Sequence, residues 1–141
     1  MDKDSISGIQ LLETIGECNS KLAKLGDELQ NNPNVVSIES ELECRSYPIT
    51  GTSLSFYLDA ELITGNSVSY FLGLNWDENA WKISSRISMN DEQGYKVIKD
   101  FPNQRTKHFN ELLLLLPVSA SELLKNSDII SNLGFENSKI T

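Results

Sequence analysis

The sequence contains one histidine, His108, two cysteines, Cys18 and Cys44, and 20 carboxylates. These residue types bound the chemistry it could do. A thiol–imidazole pair would need Cys18 or Cys44 beside His108 with the sulfur partly exposed. Both cysteines fall at positions whose spacing assigns them to apolar faces, where a thiol is unreactive. A transition-metal site needs several His or Cys ligands at close spacing, which this inventory cannot supply, so neither a metal nor a structural zinc is expected. A glycosidase-like pair needs two carboxyls held in different environments within a cleft, and the acids here read as uniformly exposed. Gly65 and Gly73 are isolated, and neither a Gly-x-Gly-x-x-Gly run nor a Gly-Lys-Ser/Thr run occurs, so no nucleotide or other cofactor is expected. No catalytic residue is assigned, and the chain reads as a non-enzyme.

The residues with the clearest functional spacing are carboxylates. Glu39, Glu41 and Glu43 alternate along one segment, Asp59 and Glu61 along the next, and Tyr47, Tyr57 and Phe71 fall on the same side. Exposed strand positions commonly carry charge for solubility and to discourage edge pairing. Two features go beyond that: like charges facing each other in a sheet are destabilising, and large rings on a wet face gain nothing from folding alone. Rings supply area that a partner can bury and carboxylates steer a basic one, so Glu39, Glu41, Glu43, Tyr57, Asp59, Glu61 and Phe71 are the candidate partner-binding residues.

The elements that must position them follow from periodicity. Ile15, Cys18, Leu22, Leu25 and Leu29 are spaced three and four apart, which predicts an amphipathic helix over 7–30. Ser7 and Gln10 match a capping box at its start, and Asn31-Asn32-Pro33 ends it. From Val35 the period becomes two, and four strands follow. The first sets Val36, Ile38, Leu42 and Cys44 against Glu39, Glu41, Glu43 and Arg45. The second sets Leu54, Phe56, Leu58, Ala60 and Leu62 against Ser53, Ser55, Tyr57, Asp59 and Glu61. In the third, Val68, Tyr70, Leu72, Leu74 and Trp76 oppose Ser69, Phe71, Gly73 and Asn75, and in the fourth Trp81, Ile83, Ile87 and Met89 oppose Lys82, Ser84, Arg86 and Ser88.

Matching apolar faces limits each hairpin to registers two residues apart, and short loops then select one. A loop of Thr64-Gly65-Asn66 puts Asp59 opposite Phe71. A loop over 77–80 puts Phe71 opposite Arg86, and one over 48–52 puts Glu41 near Tyr57 and Glu39 near Asp59. A weaker fifth strand is expected over 95–101, closed by Pro102-Asn103. A helix over 106–116 is expected to halt at Pro117, with a second capping box, Ser119 and Glu122, opening another short helix. The leucine run 112–116 is assigned to the core.

These elements make one α+β domain over 1–141: an N-terminal helix, a four- to five-stranded antiparallel meander and C-terminal helices on one face, with 1–5 and 135–141 fraying. At 141 residues and 39% hydrophobic content the chain can bury one core. The opening Met1-Asp2-Lys3-Asp4 lacks a basic lead and an apolar run, so a cytoplasmic protein without a signal peptide is expected. The run 112–116 is far short of the roughly 20 apolar residues that span a bilayer. Two isolated cysteines in such a compartment predict no disulfide. A net charge of −8 opposes binding to nucleic acid and to anionic membranes, and calls for a basic partner. The charge is uneven: residues 1–61 hold 11 acids and 4 bases, whereas residues 62–141 hold 9 and 8. The negative field therefore belongs to the helix and first two strands.

The helix ending at Asn31-Asn32-Pro33, the meander carrying Glu39, Glu41 and Glu43, the hairpin ending Leu74-Asn75-Trp76-Asp77 and the leucine-rich helix beyond together resemble the small acidic immunity proteins of bacterial contact-dependent growth inhibition and related polymorphic toxin systems. The resemblance is one of plan and composition. It implies a cytoplasmic, non-catalytic inhibitor that covers the active site or substrate surface of a toxin's C-terminal domain, commonly a basic nuclease, with carboxylates standing in for substrate phosphates. Two other classes fit the composition. One is an acidic secretion chaperone acting as a dimer on an exported client. The other is a small α+β pocket protein or enzyme, whose sign would be an apolar cavity holding a polar group of strongly shifted pKa.

Overall fold

The computed structural model describes residues 3–47 and 51–131, with side chains for all of them but 3–6, 45–47, 51–52 and 77. The described residues form α1 (Lys3–Gln30), β1 (Val35–Tyr47), β2 (Gly51–Leu62), β3 (Ser67–Asp77), β4 (Ala80–Asp91), β5 (Gly94–Asp100), β6 (Gln104–Thr106) and α2 (Phe109–Leu124). The strands pair antiparallel in the order β1-β2-β3-β4-β5, with β6 also on β4, and both helices pack on one face: an α+β fold. The segment after residue 131, including the expected frayed end, and the loop residues 48–50 lie outside the described residues.

The apolar stripe of α1 explains its place. Cys18, Leu22, Leu25 and Leu29 are buried at spacings of four, three and four, which puts them on one side of the helix. The helix starts at Lys3, before the expected capping box, so Ser7 lies within it. It ends as expected at the Asn-Asn-Pro run, where Asn32 accepts the Asn34 N–H at 2.9 Å and donates through Nδ2 to Ser131 at 2.9 Å.

Alternation decides which sheet face the helices cover. Phe56, Leu58, Ala60 and Leu62 in β2, Val68, Tyr70, Leu72 and Leu74 in β3, and Ile83, Ile87 and Met89 in β4 are all buried, in one cluster with the helical stripes. The β1 end of this face is different. A register shift between Val35 and Ser37 makes Val36 the extra residue of a bulge, so it is exposed rather than sharing the face of Ile38. Cys44, also expected on the buried face, is exposed because no helix among the described residues covers that end.

The turns corrected one register. Leu62 N–H donates to Asn66 O at 2.8 Å, so the β2–β3 loop is Ile63-Thr64-Gly65, one residue earlier than expected, and Tyr57 rather than Asp59 faces Phe71. The reason is Gly65: at φ +88° it supplies the left-handed residue that closes a three-residue hairpin at its last position. The β3–β4 hairpin turns through Glu78 (φ 50°) and Asn79 (φ 62°), the paired positive angles of a type I′ turn, and Phe71 faces Arg86 as expected.

Pro117 does not stop a helix. α2 runs unbroken through it, and the expected second helix is the end of the same one. The first turn starts later than expected because residues 104–106 pair with β4 as a strand. A proline inside a helix costs about 3 kcal/mol through a lost N–H and a steric clash. Here Leu112, Leu116, Ala120 and Leu123, all fully buried along one stripe, offset it. The leucine run is only partly core, since Leu114 is 71% exposed.

Lys21 Nζ donates to Ser121 Oγ at 2.8 Å, and with the Asn32–Ser131 bond this shows that α1 and α2 run in the same direction. Tyr70 ties the sheet to the end of α2: its hydroxyl donates to the Asn126 carbonyl at 2.8 Å, and burial pushes the phenol well above its ordinary pKa. Tyr70→Phe removes the donor and leaves that carbonyl without it, so unfolding in urea is expected to show a loss of about 1–2 kcal/mol with an unchanged slope.

Candidate functional site: the outer face of the sheet

The face turned away from the helices is built by the second residue of each alternating pair. Its register sets Glu41 beside Tyr57, Tyr57 beside Phe71, and Phe71 beside Arg86, one row across four strands. The neighbouring row is Glu39, Asp59, Ser69 and Ser88, and on the other side lies Glu43, Ser55, Gly73 and Ser84. All seven candidate residues therefore share one surface. Glu39, Glu41 and Glu61 are exposed, while Glu43, Asp59, Tyr57 and Phe71 are half-buried among their neighbours. The side chain of Tyr47, expected to flank them, lies outside the described residues.

The centre of the face is a stack. The rings of Tyr57 and Phe71 have centroids 5.2 Å apart at 49°, and the Arg86 guanidinium lies 4.5 Å from the Phe71 centroid, in cation–π range. Gly73 makes this possible. A Cβ at that position would sit 2.5 Å from Phe71 Cζ, so the missing side chain is the space into which the phenyl ring folds.

Charge is graded across the strands. At the β1–β2 edge Glu39 faces Asp59 directly, a like-charge pair that costs a few tenths of a kcal/mol. Ser69 Oγ donates to the Asp59 carboxylate and Ser37 Oγ to Glu61 Oε2 at 3.3 Å, which partly offsets the repulsion. These acids line an open depression of about 320 Å³. Toward β4 a second depression of about 210 Å³ has Gly73 and Ser55 in its lining and Lys82 and Arg86 at its side. A third trough, between α1 and β1, is lined by Ala23, Gly26, Ile38 and Leu42. The acidic edge and the basic side are separated by the ring stack.

Neither thiol stands in such a trough as a nucleophile paired with His108. Cys18 is in the core, where burial first and the charge of Glu17 second push its pKa up to about 12. Cys44 is exposed on β1, and both are free thiols. His108 is an exposed residue preceding α2, its N–H donating to Thr106 Oγ1 at 3.0 Å. The groups whose pKa burial raises most, Cys18 and Tyr70, line none of the three depressions. Among the described residues no three His, Cys, Asp or Glu side chains converge as metal ligands, and no helix is long and apolar enough to cross a membrane.

Sequence reasoning did not see the role of Gly73; the spacing Phe71-x-Gly73 on an outward strand face was its only signal. The α1–β1 trough was also unforeseen, although the polar Ser40, between Ile38 and Leu42 in an inward position, marked it. Comparison with protein-family models, curated proteins and solved structures found no match, so the reading of this face rests on its geometry.

A strand glycine ordinarily gains about 0.5–1 kcal/mol on replacement by alanine. Gly73→Ala is expected to be destabilising instead, because the new methyl group displaces the Phe71 ring. In a Phe71→Ala background the same change should become stabilising, a reversal of sign read from a chemical-denaturation double-mutant cycle.

Proposed function

We propose that this chain is an immunity-type protein that neutralises a toxin domain by covering its basic active site or substrate surface. The observation that supports the reading most is the gathering of Glu39, Glu41, Glu43, Asp59 and Glu61 with two half-buried rings on one sheet face that no helix among the described residues covers. A face selected only for solubility has no need to hold Tyr57 and Phe71 stacked in its centre. A partner that presses on it buries both rings, while the carboxylates take the places that substrate phosphates occupy on a nuclease. The chain acts in this reading without cofactor or catalysis, in the cytoplasm, by occupancy.

On this reading the gene for this chain follows that of a large exported protein, and the test uses the C-terminal domain of that protein. Co-expression of the chain should restore growth, and the purified pair should associate with an affinity that falls with salt. Charge reversal by Glu41→Lys with Asp59→Lys is expected to weaken that affinity by about tenfold or more and to flatten its salt dependence. Unchanged affinity and unchanged salt dependence would overturn the acidic-face reading.

A second reading, a dimeric secretion chaperone, is favoured by one observation on the opposite side of the molecule. Leu114 (71% exposed) and Val118 (52% exposed) stand one turn apart on the outside of α2, and Leu12 is exposed on α1. On that reading sedimentation finds a dimer that Leu114→Glu dissociates, and a strictly monomeric species eliminates it.

A further inference from the structure

The two edges of the sheet are not equivalent. One is divided between β5, seven residues with Lys96 and Lys99 and a register shift against β4, and the three-residue β6. Short, bulged and lysine-bearing edges resist pairing. The other edge is β1, thirteen residues long and, among the described residues, paired as a strand with β2 alone, which leaves one side of its backbone as a template for a further strand.

Both faces beside that edge are prepared for added side chains. On the inner side α1 packs on β1 at Ile38, with Gly26 close to it, and leaves the strand uncovered beyond that point: Ser40 and Leu42 (50% exposed) are open although their β2 partners Leu58 and Phe56 are buried, and Cys44 is open as well. Between helix and strand runs a trough of about 490 Å³, walled on the helix side by the small residues Ala23 and Gly26 together with the polar Asn19, Asp27 and Gln30, and on the sheet side by Ile38, Ser40, Leu42 and Leu58. On the outer side, two residues apart, stand Glu39, Glu41 and Glu43.

The acids also disfavour one occupant in its Glu41-centred register. A second copy pairing β1 antiparallel to β1 about a two-fold axis at Glu41 would place Glu41 against itself and Glu39 against Glu43, three like-charge contacts in succession. A strand of opposite pattern has no such conflict. We propose that β1 is extended by a strand of the partner protein in which basic and apolar residues alternate, the basic ones beside Glu39, Glu41 and Glu43 and the apolar ones in the trough beneath α1. The inference rests on the partner being basic, and adds to that reading the backbone edge by which it is held and the sequence pattern it presents.

The probe is a blocked peptide of alternating lysine and valine, about nine residues long to match the open part of β1, compared with one of the same composition in which lysines and valines are grouped in blocks. The alternating peptide is expected to bind about tenfold more tightly, and hydrogen exchange should slow at the β1 amides. Glu41→Lys should weaken it about tenfold. Ala23→Trp, at an exposed helix position, fills the trough and should weaken it comparably. Equal affinity for the two peptides, no binding of either, or binding without added protection in β1 overturns strand addition. None of these touches the acidic-face reading, which stands or falls on charge reversal against the whole toxin domain.

Discussion

The packing of α1 and α2 on a single side of the sheet is the constraint from which the remaining features of the molecule follow. It seals Phe56, Leu58, Tyr70, Leu72, Ile83 and Ile87 against the helical stripes and, among the described residues, leaves the reverse side without a covering element. Because two helices side by side are narrower than five strands, their cover also stops short of the far half of β1. The uncovered sheet face and the uncovered edge therefore have one cause. Neither adds much to stability, so both can carry residues chosen for other reasons.

The electrostatics fit that division. Glu39 opposite Asp59 is a local cost of a few tenths of a kcal/mol, small beside the burial of a single leucine. The core tolerates it easily. What such a pair does instead is concentrate field at the β1–β2 edge, while Arg86, held on the Phe71 ring, supplies the opposite sign on β4. A partner meeting this face encounters a gradient with an orientation, and only one approach matches it.

Much of the architecture was legible because period-two alternation is a strong signal wherever one face is buried. It placed Glu41 beside Tyr57 and Phe71 beside Arg86, and sorted all seven candidate residues to one side. Other features escaped it, three of them instructive. The β2–β3 register slipped because Gly65 was read as the centre of its loop rather than the closing residue, a difference of one position that moves every pair by two. Pro117 was read as a stop because local propensity says so, whereas the buried stripe on either side of it outweighs the lost bond. The trough beside α1 depends on how far a helix stands from a strand, which no spacing along the chain encodes.

The parallel course of the two helices has a consequence for how the protein is made. The meander closes through hairpins between neighbours in sequence, contacts that can form as soon as each pair of strands leaves the ribosome. The helices cannot do this. Lys21 and Ser121 are separated by 100 residues, so at about 5–20 residues per second the apolar stripe of α1 waits roughly 5–20 seconds for its companion. During synthesis the leading helix is the exposed element, and nascent-chain chaperones have their longest opportunity there.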